Sequence, residues 1–99
     1  MRLTPDQAQT IHDTVEALLG GEARVYLFGS RVDDQARGGD IDLYIEVPSL
    51  PLPHLKLQLA LQRRLWETLG ARRIDLLIRA DNEDLRPIHR DALEQGVML

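Results

Sequence analysis

The sequence predicts an α+β fold, a small mixed β-sheet with helices packed mainly on one face. Segments of helical periodicity alternate with short strand-like runs, in the order helix, strand, helix, strand, helix, strand, helix. At 99 residues, the chain is expected to be a single domain spanning 1–99. So few strands disfavour a doubly wound nucleotide fold, and the dinucleotide fingerprint G-x-G-x-x-G is missing from the sequence.

The first helix is expected to start at Thr4-Pro5-Asp6-Gln7, where Thr4 caps, Pro5 takes the first helical position and Gln7 completes a capping box. Ile11, Val15, Leu18 and Leu19 form its apolar stripe, and Gly20-Gly21 ends it. Val25-Tyr26-Leu27-Phe28 reads as a short apolar strand, followed from Val32 to Gly39 by a helical turn or loop. Ile41, Leu43, Ile45 and Val47 alternate with Asp42, Tyr44 and Glu46, the period-two pattern of a strand with one buried face. Pro48, Pro51 and Pro53 end that strand, because proline cannot donate to a ladder.

From His54 to Leu69 the leucines at 55, 57, 59, 61, 65 and 69, with Trp66, predict a broad apolar helix face over the sheet, with Trp66 in the core. Arg73-Ile74-Asp75-Leu76-Leu77-Ile78 reads as a third strand, buried on both faces if it lies beside the second. Ala80-Asp81-Asn82 is a turn, and a last helix opens at Asp84 or after Pro87 and ends near Gly96.

Hydrophobic residues make up 43% of the chain but aromatics only 4%, so Leu, Ile and Val must fill the core. The formal net charge of -4, from 12 basic and 16 acidic residues, argues against an unspecific grip on nucleic acid. Arg63-Arg64 and Arg72-Arg73 are local basic pairs, expected to be solvated. The absence of cysteine excludes disulfides and thiolate metal sites. No run approaches a membrane span and Met1-Arg2-Leu3-Thr4 opens no secretory segment, so a soluble, cytoplasmic protein is expected.

The chemistry concentrates in two stretches. Asp40 and Asp42 lie two apart on one strand and therefore point the same way, their Cα atoms about 6.6 Å apart. Two carboxylates so close repel unless a counter-charge intervenes, and Mg²⁺ supplies one while also binding phosphate oxygens. Upstream, Gly29-Ser30-Arg31 follows the first strand. A glycine allows close backbone approach, a serine hydroxyl can donate to a phosphate, and an arginine adds a cation. Asp75 places a third carboxylate in an apolar strand, where aspartate is rare, and a cation shared with Asp40 and Asp42 accounts for it.

These residues resemble the minimal nucleotidyltransferases of the DNA polymerase β superfamily, in particular the small antitoxin-type proteins that accompany HEPN-type, helical ribonuclease-like toxins. The resemblance runs from the first helix through Gly29-Ser30-Arg31, Asp40-x-Asp42 and Asp75 to the closing Ile88-His89-Arg90-Asp91-Ala92-Leu93-x-x-Gly96-Val97 segment. It implies a polymerase β-like palm and nucleotidyl transfer with two Mg²⁺ ions from ATP or another NTP. In such enzymes the counterparts of Asp40, Asp42 and Asp75 are catalytic and hold the metals, while those of Gly29, Ser30 and Arg31 hold the nucleotide. The implied acceptor is a hydroxyl of the cognate toxin, AMP-modified and thereby silenced in a toxin-antitoxin pair. The alternative is a non-catalytic antitoxin that neutralises its partner by complex formation, and a homo- or hetero-oligomer is compatible with either. Two departures from the relatives stand out. Nine residues separate Ser30 from Asp40, one fewer than is common, and Gly38-Gly39 replaces the usual serine before the first aspartate.

His12, His54 and His89 offer no pair at the helical spacing of a zinc site. Asp33-Asp34 reads as a solvated turn. Glu46 shares the face of Asp42, with an arginine salt bridge slightly favoured over a place near the nucleotide.

Overall fold

The computed structural model describes residues 3–28, 41–70 and 73–99. The Thr4 hydroxyl accepts from the Gln7 backbone N–H at 3.1 Å, and the Gln7 side-chain oxygen accepts from the Thr4 N–H at 3.0 Å. This reciprocal cap starts α1 (Pro5–Leu19). The chain continues through β1 (Arg24–Phe28), β2 (Ile41–Val47), α2 (His54–Leu69), β3 (Ile74–Ala80), α3 (Pro87–Gln95) and the short β4 (Val97–Met98). Gly20 and Gly70 end α1 and α2 at φ of +94° and +88°, a region L side chains rarely adopt.

The strands form one mixed sheet in the order β3-β2-β1-β4. β1 pairs antiparallel with β2 and β4, whereas β2 and β3 run parallel. A parallel pair needs a crossover, and α2 supplies it. Alternation along the strands then sorts the side chains by face. Val25, Leu27, Ile41, Leu43, Ile45, Val47, Ile74, Ile78 and Ala80 are buried against Ile11 and Val15 of α1 and Leu57, Leu61 and Leu65 of α2. Buried methyl and methylene groups on this face supply the main cohesion of the fold.

α3 lies on the opposite face. The His89 ring stacks on Tyr44 with centroids 5.5 Å apart, Tyr44 stacks on Tyr26 at 5.9 Å, and Ala92 beside them is fully buried. Gly96 lets the chain turn from α3 into β4. A Cβ built there would lie 2.3 Å from the Ala92 carbonyl oxygen and 3.2 Å from that of Leu27. Gly96→Ala is therefore expected to destabilise the fold by roughly 1–3 kcal/mol, read from chemical denaturation.

Two sequence expectations need correction. Trp66 is not in the core: it is 46% exposed, and Leu55 and Leu59 are 68% and 61% exposed. Leu57, Leu61 and Leu65 face the sheet, with Leu69 partly buried against the same core. β3 pairs with β2 as expected, at the edge of the sheet, but only one of its faces is buried: Asp75 is exposed, and Leu77 and Arg79 are half-buried.

Candidate active site on the open face of the sheet

The register organises the open face into three rows. Phe28, Asp42 and Asp75 form the first, Tyr26, Tyr44 and Leu77 the second, and Arg24, Glu46 and Arg79 the third. Asp42 and Asp75 are direct Cα partners on adjacent strands, which stand about 4.8 Å apart. Both are the second residue of their strands and share a face, so their carboxylates lie at one end of the sheet. The chain leaves β1 at Phe28 and enters β2 at Ile41, at this same end.

The side chain of Asp75 is 56% exposed, and its one described ion pair is with Arg73, 3.5 Å away. A pair this exposed contributes less than about 1 kcal/mol, so it yields readily to a stronger cation. Two hard oxygen donors side by side at a solvent-facing strand end fit a divalent ion. Among the described residues no group of three or more potential metal ligands occurs. Gly29, Ser30, Arg31 and Asp40 lie outside the described residues, as do Gly38-Gly39 and Asp33-Asp34.

The family model for a nucleotidyltransferase domain matches residues 9–98. The chain belongs to this nucleotidyltransferase family. No curated protein matches it in sequence. Among the described residues, the four-stranded mixed sheet and three helices agree with the fold expected of such a domain. Members of the family act on NTPs with a divalent metal, and no described helix of this domain is long and apolar enough to cross a membrane.

The far end of the open face in this nucleotidyltransferase domain is electrostatically closed. Glu46 is buried and accepts from the Tyr44 hydroxyl at 2.7 Å, Arg79 Nη2 at 3.2 Å and Arg24 Nε at 3.3 Å. Arg24 Nη2 also donates to Asp81 at 2.6 Å, and Arg79 Nη1 donates to the Glu83 carbonyl at 2.8 Å. Burial pushes the Glu46 carboxyl up, but the hydrogen bonds from Tyr44, Arg79 and Arg24 outweigh it and hold the group below the ordinary range. The Tyr44 hydroxyl is pushed up to about 12, by burial first and by the Glu46 charge it donates to. Arg24 and Arg79 are thus committed to structure. The favoured structural reading of Glu46 holds. Arg24 and Arg79 carry no local signal, since only register brings them to Glu46.

His89 joins no metal cluster among the described residues. Its Nδ1 accepts from the Arg86 backbone N–H at 2.9 Å, capping α3, while the ring lies on Tyr44. Burial first, then the charges of Arg79 and Arg86, push its pKa below the ordinary histidine value. Protonating Nδ1 would break the cap. The contribution of neutral His89 to stability is complete above about pH 6.5 and is lost as pH falls through the depressed value. In His89→Gln that decline should disappear from the difference between the two stability-pH curves, measured by urea unfolding.

Proposed function

We propose that this domain transfers a nucleoside monophosphate, AMP from ATP in the first instance, onto a hydroxyl of a partner protein, and that the partner is a HEPN-type toxin silenced by the modification. The observation that carries the reading is the adjacent Asp42–Asp75 pair at the open end of a nucleotidyltransferase sheet. The acceptor oxygen attacks the α-phosphorus, the bond to the bridging oxygen breaks, and pyrophosphate departs. Asp75 faces the solvent from which an acceptor arrives, where its carboxylate orients the hydroxyl and assists loss of its proton. Asp42, half-buried beside it, would hold together with Asp40 the cations that bind the phosphate end. Gly29 and Ser30, which follow Phe28 in the chain, receive the β- and γ-phosphates, with Arg31 as an added cation. Two Mg²⁺ ions held by Asp40, Asp42 and Asp75 would supply the positive charge that stabilises attacking and leaving oxygens.

The exposure of Asp75 favours an acceptor that brings its own surface, as a protein does. The test incubates the domain with the product of its neighbouring gene, Mg²⁺ and each labelled NTP, followed by mass spectrometry of the protein. Label on a hydroxyl side chain is the expected result. A tight complex without label would replace this reading with neutralisation by masking.

A further inference from the structure

α2 carries two apolar stripes, and the sheet uses one. Leu57, Leu61 and Leu65 are buried, whereas Leu55, Leu59 and Trp66 stand outward with Gln62 among them, at the i, i+4, i+7, i+11 spacing of a helix-packing seam. The outer stripe is held ready for contact. With its amide oriented to satisfy both groups, Gln62 donates to the Ile74 carbonyl at 3.0 Å and accepts from the Trp66 indole N–H at 3.0 Å. The Arg73 carbonyl accepts from Ile41, so the Ile74 carbonyl, next along the edge strand, points away from β2. Gln62 thereby ties the exposed indole to the sheet edge. A large aromatic fixed in this way loses little freedom when it becomes buried, which is the behaviour of an interface anchor.

We propose that this stripe is a homodimer interface, in which α2 packs antiparallel against α2 of a second copy about a two-fold axis. One register satisfies the stripe and its rim together. When position 56 of one helix stands level with position 67 of the other, Trp66 falls between Leu55 and Leu59 of the second copy. Leu59 falls between its Gln62 and Trp66. On the rim that faces its own equivalent, Lys56 meets Glu67, twice by symmetry, and Arg63 falls opposite the small Ala60. Complementary charge and interleaved apolar groups in a single register are what a self-recognising helix requires. One helix pair buries a modest area, so the dimer is expected to be weak and concentration-dependent. The inference rests on α2 alone and is independent of the transfer reading.

Sedimentation of the full chain over a concentration series tests it, with fluorescence of the single tryptophan as a second readout. The expected result is a monomer–dimer equilibrium whose dimer arm shifts Trp66 emission to the blue. Lys56→Glu and Glu67→Lys should each weaken dimerisation at least about tenfold, because symmetry repeats every like-charge contact, and the double reversal should restore it. Leu59→Ser should give a monomer with unchanged circular dichroism. A parent chain that stays monomeric across the series overturns the proposal, and this outcome needs no variant. A dimer indifferent to the single reversals, or not rescued by the double one, also overturns it.

Discussion

Asp42→Asn is expected to lower nucleotidyl transfer by at least about a hundredfold while leaving the fold intact. The substitution keeps shape and hydrogen-bonding capacity but removes one negative charge from the row that Asp42 shares with Asp75. Since binding a hard cation depends on ligand charge, the metal concentration needed for half-maximal rate should rise along with the loss of rate. Asp75→Asn should behave alike, with the larger part of its loss in the step that involves the acceptor. Stability should change by less than about 1 kcal/mol, because the Asp75 pair with Arg73 is exposed. Rates with labelled NTP, urea unfolding and circular dichroism together check this. Transfer by the Asp42 variant within a few-fold of the parent would remove Asp42 from the site.

The largest stability effect is expected from Glu46→Gln, a loss of about 3 kcal/mol. The Glu46 and Arg79 side chains are 9% and 11% exposed, so water cannot replace the lost partner, and Arg24 loses an ion pair as well. Glutamine retains one acceptor for the Tyr44 hydroxyl, which keeps the loss at the lower end of what breaking a buried pair costs. For a domain of this size the thermal midpoint should fall by more than about 10 °C. Asp81→Asn is the control: that carboxylate is 46% exposed and its loss should cost under about 1 kcal/mol. Equal effects from the two variants would show that the network is not a buried one. Because the folded-state pKa of Glu46 is depressed, its contribution is complete above the ordinary carboxylate range. It is lost as pH falls below about 4.3 towards the folded value.

What could be read from the sequence follows from the range of each interaction. The Thr4–Gln7 cap spans four residues, and the parity that puts Asp42, Tyr44 and Glu46 on one face spans five, so both were legible. The apolar run around Asp75 was enough to place it beside Asp42, though not to show that β3 is an edge strand, because strand order depends on the rest of the chain. Trp66 was misplaced for a similar reason. With leucine on both sides of α2, hydrophobicity cannot say which stripe meets the sheet, and the choice falls to the register of Leu57, Leu61 and Leu65 against β2 and β3. Arg24 and Arg79 lie 22 and 33 residues from Glu46, beyond any local pattern. The passage of α3 over Tyr44 rests on a ring stack and the close approach at Gly96, neither of which has a periodic signature.

The cover that His89 and α3 place on Tyr44 has a consequence for base selectivity. His89 covers Tyr44 in the second row, and Glu46 in the third is held by its own ion pairs, so on the proposed site a nucleotide bound at Asp42 and Asp75 does not extend along β2 towards Glu46. On the proposed reading the phosphates lie towards Asp42 and Asp75, across the strand ends. Among the described residues, the floor at that end is one phenylalanine and two carboxylates, which would engage the triphosphate common to all NTPs through a shared cation and offer no pattern that reads a base. Discrimination between adenine and the other bases therefore falls to groups beyond this floor, and substitutions within it should slow all four nucleotides in proportion.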